Sequence, residues 1–381
     1  MHFKHRSAFF FDMTCNEIIK YIEDWAPKEI AWQKDNVGLQ VGNRNKQIKN
    51  IMLCLEVTMD VVKEAIRKKC NLIFSHHPLL FQPLKRLDLN FDKNSMMIEK
   101  LIKHDITLYS AHTNLDFTQD GVSFELAKLL KLKNIKFLKT FSSNHFKLSV
   151  FVPVNAVAKV SDAIFTNGGG VIGEYSHCSF ITKGEGTFIG SEKTKPAVGE
   201  KGNEEKIEEV KLEVLIDSWN LNKVIAAMLK VHPYEEPAFD IYPLQNENNK
   251  TGAGAIGDLK NPLVKNEFLK LISSSLNAKN FRYTNGKSTK IKKIAVCGGS
   301  CSELISTAIS EGADAFITAD IKYHAFHDAK DEILLVDAGH YETEIPIMNE
   351  IQKRLNNLVG TKNKIKVFKY SGTTNPVIFY K

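Results

Sequence analysis

Histidines and carboxylates that could bind metal ions follow three apolar runs of this chain, and each run is typical of a buried strand. Adjacent His76 and His77 follow NLIFS, and Asp116 lies shortly after ITLYSA. His340 and Glu344 follow ILLV. Because ligands of open α/β sheets gather beyond the carboxyl ends of the strands, these side chains could converge on one cleft.

Each of these residues also has a purely structural interpretation. A single histidine is more often hydrogen-bonded in a core than bound to a metal, although an adjacent pair held by Pro78 is harder to explain by packing. Asp116 could simply cap a helix or a turn. His112 could line the cleft or orient a ligand, or it could be a hydrogen-bonded histidine inside the strand.

The spacing of His340 and Glu344 allows both side chains to point the same way. Residues four apart share one face of a helix, and the helix dipole favours a carboxylate near the helix start. Glu342 is a competing carboxylate, but it lies two residues from each and would point elsewhere. Mixed imidazole and carboxylate ligands suit Zn, Fe, Ni or Mn rather than Ca or Mg. Two such ions ~3.5–4 Å apart, bridged by a carboxylate, are a recurring hydrolytic arrangement.

Parallel strands would have to position these residues, and the hydrophobic pattern predicts such strands in the first and the last segment of the chain. The predicted strands are 48–57, 71–75, 106–111, 293–297, 315–318, 333–336, 366–370 and 377–380. The predicted helices are 16–25, 59–69, 95–104, 121–130, 302–311, 322–330 and 343–358.

The middle of the chain has a different pattern. Two units of strand, helix and strand, 146–167 and 211–242, flank a charged segment at 194–209 that we expect to be an exposed loop. Such units predict a ferredoxin-like α+β module. We therefore predict an α/β fold, namely a two-lobed, three-layer α/β domain (13–144 and 246–381) with an inserted ferredoxin-like domain at 145–245. Residues 1–12 precede a natural start at Met13 and are expected to be an extension.

Composition narrows the class of protein. The net charge of +7 comes mainly from scattered lysines rather than from a basic cluster with interleaved aromatics, which disfavours nucleic-acid binding. No run approaches the ~18 apolar residues of a membrane span. Six cysteines without paired spacing argue against a disulfide framework and favour a reducing cytoplasm.

Two glycine-rich motifs are candidate ligand sites. The backbone amides of CGGSC, from Cys297 to Cys301, could hold a phosphate, or the glycines could only permit a tight turn from strand to helix. Gly252, Gly254 and Gly257 match a dinucleotide-binding pattern, but no long helix is expected to follow them, so we do not expect a dinucleotide site.

Four further residues have weaker signals. His324 and His327 follow the strand AFIT and could pass a proton or contact a substrate, or could simply lie on a helix surface. His232 and Glu235 belong to the middle segment, where we expect them to stabilise a turn.

Several motifs resemble the "GTP cyclohydrolase 1 type 2 homolog" family of Ngg-interacting-factor-like dinuclear metal proteins. The matching segments are DNVGLQVG, FSHHP, SAHTNLD, HPYEEPAFDIYPL, GGS, TADIKYH and DAGHYETE. The resemblance implies that His76, His77, Asp116, His340 and Glu344 are metal ligands. It pairs His76 with His340 and His77 with Asp116, with Glu344 bridging. Cys301 stands where related chains commonly have glycine.

The resemblance also implies a PII- or CutA-like insertion and a toroidal homohexamer. With two divalent cations per subunit, the first hypothesis is a metal-dependent hydrolase that acts on a phosphate- or nucleotide-containing small molecule, in which His112 or His324 could pass the proton. The alternative is a non-catalytic, metal-binding regulatory hexamer whose insertion senses a ligand or partner. Nucleic-acid binding would rest on charge alone.

Overall fold

The computed structural model describes residues 13–141, 144–246, 248–360 and 364–380, so the extension expected at 1–12 lies outside the described residues. The chain divides into two compact units. The inserted unit is Phe141–Asn248, and the two-segment unit combines the chain before and after it. None of the described helices has the length and apolar character that a membrane span requires.

The first segment alternates strands and helices as predicted. Its elements are α1 (Cys15–Trp25), β1 (Gly38–Val41), β2 (Asn50–Cys54), α2 (Met59–Arg67), β3 (Leu72–Ser75), α3 (Lys93–Lys103), β4 (Thr107–Ser110), α4 (Thr113–Asp116), α5 (Val122–Leu129) and β5 (Lys133–Thr140). A capping box begins α1, because Thr14 accepts from the Glu17 amide and the Glu17 carboxylate accepts from the Thr14 amide.

The inserted unit has the element order of two split βαβ units. Its elements are β6 (His145–Pro153), α6 (Val157–Thr166), β7 (Ser179–Ile189), β8 (Glu204–Asp217), α7 (Leu221–Val231) and β9 (Phe239–Pro243). The four strands form an antiparallel sheet in the order β7-β8-β6-β9. The loop expected at 194–209 is wrong for its last residues, because β8 begins at Glu204 and pairs with β7. The sequence did not predict β7, because polar residues alternate along it.

His232 stabilises a turn in the inserted unit, as its motif predicted. Its Nε2 donates to the Phe151 carbonyl at 3.1 Å, and its Nδ1 accepts from the Tyr234 amide at 3.1 Å. The Glu235 carboxylate accepts from the Lys195 amide at 2.9 Å. These contacts account for both polar residues of the motif without a ligand.

The last segment completes the two-segment unit. Its elements are β10 (Gly252–Val264), α8 (Lys265–Leu276), β11 (Arg282–Tyr283), β12 (Lys290–Ser300), α9 (Ile305–Ser310), β13 (Ala315–Ala319), α10 (Tyr323–Ala329), β14 (Leu334–Asp337), α11 (His340–Glu344), α12 (Ile347–Val359) and β15 (Lys366–Lys369). The glycine motif of 252–257 lies inside β10 and not at a turn from a strand into a helix, so it lacks the structural context of a dinucleotide-binding motif.

The first sheet of the two-segment unit has five strands in the order β1-β4-β3-β2-β15. The strands β4, β3, β2 and β15 are parallel, and β1 is antiparallel to β4. Helices α1 and α12 cover one face, and α2 and α3 cover the other. Every residue of β3 and β4 is buried, which explains their continuous apolar sequences.

The second sheet has six strands in the order β11-β14-β13-β12-β10-β5. Its central strands β12, β13 and β14 are parallel, and β10, β5 and β11 pair in antiparallel fashion. Helices α5 and α8 cover one face, and α9 and α10 cover the other. Both sheets therefore have the three-layer form that the pattern predicted.

The two segments exchange strands, which the sequence did not predict. Strand β5 of the first segment joins the second sheet, and β15 of the last segment joins the first sheet beside β2. The strand predicted at 377–380 is wrong, since no described strand forms there and Ile378 is 91% exposed. The helix predicted at 343–358 is divided at Pro346, because proline lacks the amide that a continuous helix needs.

Candidate metal centre

His76 and His77 lie directly beyond the carboxyl end of β3. Their amides continue the ladder to β2, donating to the Cys54 and Leu55 carbonyls at 3.1 and 3.0 Å. His76 is completely buried, whereas His77 is partly exposed. The backbone ladder therefore holds both histidines in place at the edge of the first sheet.

Glu344 follows β14 of the second sheet, and its carboxylate contacts these histidines. Its carboxylate ends α11, one turn after His340 begins that helix, and the two side chains meet at 3.0 Å (Oε1 to Nε2). Its other oxygen, Oε2, lies 3.0 Å from His77 Nε2, and Oε1 lies 3.8 Å from His76 Nε2. The carboxylate is only 3% exposed and lies among three imidazole rings.

Asp116 approaches the same place from the first sheet. It ends the short helix α4, and its Oδ1 lies 3.6 Å from His76 Nε2. The prediction that α11 and the end of β3 converge, with Asp116 beside them, therefore agrees with the geometry. All five predicted ligand residues lie in one cluster.

Two buried atoms of this cluster, His76 Nε2 and Asp116 Oδ1, have no hydrogen-bond partner in the described part of the chain. They lie 3.6 Å apart. Leaving a buried polar atom unsatisfied costs about 1–3 kcal/mol, and more for a charged one. Such a cost at two atoms that lie side by side is what a site built for a cation would show, and imidazole with carboxylate is a donor set that suits Zn and Fe.

Hydrogen bonds at the far ring nitrogens orient the three histidines. His76 Nδ1 bonds to the Ala111 carbonyl at 2.9 Å, His340 Nδ1 to Asp320 at 2.5 Å, and His77 Nδ1 to Glu56. Each contact turns the opposite nitrogen, Nε2, towards the cluster, as metal-binding histidines commonly require. Glu56 and Asp320 were missed in the sequence, although each follows the carboxyl end of a buried strand.

The contacts bring the adjacent histidines close to more than one of the other proposed ligands. His76 Nε2 and His340 Nε2 both approach Glu344 Oε1, at 3.8 and 3.0 Å, and these are the two histidines that the resemblance assigns to one metal. His76 Nε2 also lies 3.6 Å from Asp116 Oδ1, and His77, His340 and Glu344 have donor atoms within 4.8 Å of one another. The pairing of these residues around two cations therefore stays a prediction.

His112 borders the cluster outside the strand in which its structural interpretation placed it. It precedes α4, and its Nδ1 lies 3.0 Å from Asp35 Oδ1, so the ring is held by a carboxylate. Asp35 also accepts from the Thr113 amide and hydroxyl at 3.1 and 2.5 Å. Burial would raise the pKa of Asp35, but the bonds from His112 and Thr113 outweigh it and lower the pKa to about 2.

The position of His324 in the structure does not support the catalytic role predicted for it. It lies exposed on α10, with its ring centroid 5.5 Å from that of Tyr323. It lines neither of the two cavities that border the cluster.

Electrostatics within the cluster favour protonated histidines beside an ionised Glu344. Burial lowers the pKa of His77, but Glu344 and Glu56 outweigh it and raise the pKa to about 10. The bond to Glu344 raises the pKa of His340 to about 9 despite burial, with a further contribution from Asp320. Burial raises the pKa of Asp116 in spite of the neighbouring His76 and His112. Cation binding would therefore have to displace protons from His77 and His340.

The CGGSC segment is the end of β12, with irregular strand pairing between Val296 and Ser300, rather than a tight turn or a phosphate cradle. The amides of Gly298, Gly299 and Cys301 donate to the hydroxyls of Ser123, Thr343 and Thr318, which leaves these amides occupied. Gly299 has φ +70°, and a Cβ there would collide with the Glu344 carboxylate. The glycine therefore lets the β12 backbone approach the cluster.

Cys297 and Cys301 are joined as a disulfide. This corrects the expectation from their spacing, because the irregular end of β12 brings the two sulfur atoms together although only three residues separate the cysteines. The other described cysteines, Cys15, Cys54, Cys70 and Cys178, are free.

Two cavities border the cluster. The larger, of about 510 Å³, reaches His77, His340, Glu56 and Asp320. The smaller, of about 140 Å³, is lined by His112, Asp116, Glu344 and the Gly298–Gly299 backbone of β12. The cluster is therefore accessible to a small molecule.

Fold and site together define a mixed α/β protein with a histidine and carboxylate cluster at the carboxyl ends of its parallel strands. The family model for Duf34/NIF3 (NGG1p interacting factor 3) matches residues 13–376. The chain belongs to this family, which confirms the resemblance drawn from its motifs.

Individual relatives agree over almost their full length. A Halalkalibacterium halodurans protein named GTP cyclohydrolase 1 type 2 homolog is 40% identical over 367 residues, covering 95% of this chain and 98% of that protein. A Bacillus subtilis protein of the same name is 38% identical over 366 residues, with coverages of 95% and 98%. The crystal structure of a Bacillus cereus protein related to NIF3 has a TM-score of 0.84 and 38% identity, and covers 97% of this chain and 100% of that one.

Proposed function

We propose that this protein is a metal-dependent hydrolase with two divalent cations in each chain. The observation that carries the proposal is the pair of buried atoms His76 Nε2 and Asp116 Oδ1, which lie 3.6 Å apart without hydrogen-bond partners among the described residues, beside the buried Glu344 carboxylate. By the pairing that the resemblance implies, His76 and His340 would hold one cation, His77 and Asp116 the other, and Glu344 would be shared. Zinc and iron fit this donor set best.

When bound, the two cations would supply Lewis acidity and activate a water molecule near neutral pH. The protein's own contribution is orientation. Glu56, Asp320 and the Ala111 carbonyl hold the ring nitrogens that face away from the cluster. His112, held by Asp35 at 3.0 Å, presents its second ring nitrogen as a proton acceptor.

The proposed substrate is a small molecule that contains a phosphate or a nucleotide. The cavity of about 510 Å³ has the volume of an ordinary small-molecule site. The name GTP cyclohydrolase 1 type 2 homolog, which belongs to the relatives, makes GTP a compound to include among the substrates tested.

Elemental analysis of protein purified without added metal tests the site, and a panel of phosphoesters, cyclic nucleotides and GTP tests the reaction. We expect bound Zn or Fe in the wild type and turnover of at least one compound, with both lost in Glu344→Gln. Glu342→Gln is the matched control, because its carboxylate lies in the same helix and is bonded to Asn375 instead. Full metal content in Glu344→Gln would contradict the site, and a metal-loaded protein inactive across the panel would contradict the reaction.

A non-catalytic regulatory role is the second candidate, and the inserted unit favours it. We propose that this unit is PII- or CutA-like and senses a ligand or partner within a homohexamer. Large apolar side chains are exposed on it, including Tyr175 at 76%, Phe180 at 65% and Ile189 at 66%, as an association surface would require. Deletion of 145–245 should then alter the oligomeric state or ligand response, and a deletion protein unchanged in both would contradict this role.

A further inference from the structure

The larger cavity extends from the metal-binding histidines to Arg282. Arg282 is the single lysine or arginine among the described residues that line it. Between the two ends the lining is largely apolar, with Phe281, Tyr341 and Phe379 among its residues. A ligand that reaches both ends would therefore cross an apolar, aromatic surface and end beside a cation.

Arg282 is held in one orientation. It lies in the edge strand β11, opposite Asp337 of β14. Its Nη2 donates to the Asp337 carboxylate and to the Ile321 carbonyl, the latter at 3.0 Å. Its guanidinium carbon lies 5.1 Å from the ring centroid of Phe326. These contacts restrict a side chain that would otherwise lose considerable rotamer entropy when it binds a ligand.

The same side chain is available to a ligand. It is 64% exposed in spite of its contacts. Both hydrogen bonds of the Arg282 side chain use Nη2, so its Nε and Nη1 have no hydrogen-bond partner among the residues that the structure describes. These nitrogens carry three donors on two different edges of the guanidinium, and an oxygen of a phosphate or a carboxylate can accept from either edge.

The carboxylates of this cavity do not compete for those donors. Glu56 bonds to His77, Asp320 to His340, and Glu342 to the Asn375 side chain. Asp337 offsets the formal charge of Arg282, so an anion would gain mainly directed hydrogen bonds rather than net charge. Because the arginine is exposed as well, we expect a moderate gain in affinity, about tenfold.

We propose that Arg282 binds an oxyanion of the substrate at a point separate from the bond that reacts. The substrate would then be a small organic anion with its reacting group at His77 and His340, an apolar or aromatic body along the cavity, and a phosphate or carboxylate at Arg282. This inference rests on the proposed function, and Arg282 acts in specificity rather than in catalysis.

The test compares probes with and without a second anionic group. The zinc-loaded full-length protein is titrated calorimetrically with phenylphosphonate and with its ortho-, meta- and para-carboxylated forms, which do not hydrolyse. The corresponding benzene bisphosphonates provide the phosphate-like alternative. At least one doubly anionic probe should bind about tenfold more tightly than phenylphosphonate. Arg282→Gln should remove this gain and leave the affinity for phenylphosphonate unchanged, while Arg282→Lys should retain part of it.

Lys330→Gln is the matched control, because Lys330 is an exposed cation in the neighbouring groove that also contains Arg282 and His327. The gain should persist in this variant. A zinc-loaded protein with no gain for any doubly anionic probe, or a gain that survives Arg282→Gln, would overturn the role of Arg282 alone. Loss of phenylphosphonate binding in Arg282→Gln would overturn it too, by assigning the residue to cavity structure. Failure of the wild type to retain zinc would instead overturn the proposed function, and this inference with it.

Discussion

His77 Nε2 lies 3.0 Å from Glu344 Oε2, although the two residues follow strands of different sheets and lie near opposite ends of the chain. Because Glu344 is nearly buried and also contacts His340, this one carboxylate connects the strand ends of both sheets. Its position makes it the residue on which the candidate site depends most strongly.

Replacement of a shared ligand should remove more metal than replacement of a terminal one. We expect Glu344→Gln to lose most of both cations and His340→Asn to lose mainly one, because His340 contacts only one side of the cluster. Elemental analysis after exhaustive dialysis, expressed as cations per chain, measures the difference. Equal losses from the two variants would contradict a shared role for Glu344.

The stability of the metal-free protein should fall as the pH rises from about 6.5 to 10. The folded protein holds protons on His77 and His340, whose pKa values are raised to about 10 and about 9, whereas the unfolded chain releases them near the ordinary histidine pKa of about 6.5. Their stabilisation is therefore complete below the unfolded value and is lost through the folded ones.

Thermal unfolding of the chelated protein between pH 6 and pH 10 measures this effect. Its melting temperature should decline over that interval, and the decline should be smaller in His77→Asn. A wild-type melting temperature that rose over the same interval would contradict the assigned proton positions.

Gly299→Ala should weaken both the fold and the candidate site. The new Cβ would collide with the Glu344 carboxylate at a backbone φ of +70°, so Glu344 would have to move. We expect a loss of about 1–3 kcal/mol in the free energy of unfolding, together with reduced metal content. Chemical denaturation and elemental analysis measure the two effects.

Gly202→Ala is the control for the Gly299 variant. Gly202 has a similar φ of +77° but open space around its Cβ position, so it should incur the backbone strain alone. A Gly299 variant that behaved no differently from the Gly202 variant would show that contact with Glu344 is unimportant.

Asp35→Asn should reduce turnover and leave the metal content unchanged. The hydrogen bonds of the Asp35 carboxylate go to His112 and Thr113, and neither residue is one of the five proposed ligands. The amide removes the charge that orients the His112 ring. Turnover should fall by about 10²-fold or more, within the usual range for a general base. Loss of metal in this variant would assign His112 to metal binding instead.

Much of the candidate site could be predicted from residue types at strand ends. The apolar runs before His76, Asp116 and His340 indicated parallel strands, and parallel strands bring such residues to one edge. The orienting residues Glu56, Asp320 and Asp35 could not be distinguished in this way, because single carboxylates after strands are common and their partners are distant in the chain.

The errors in the fold have a related origin. Strand β7 has alternating polar residues and lacks an apolar run, and the exchange of β5 and β15 between the sheets depends on pairing between distant segments. The disulfide between Cys297 and Cys301 depends on the irregular end of β12. Local sequence reports burial and turn chemistry, whereas none of these features is local.

The sequence by itself therefore determined the family, the alternation of strands and helices, and the five side chains with ligand chemistry, because these follow from residue type and short-range periodicity. Only the tertiary structure decided which of the other proposed ligands His76 and His77 each approach, and that His324 lines neither cavity beside the cluster. The physical reason is that adjacent histidines are chemically identical, and only hydrogen bonds from distant strands determine the direction in which each ring points.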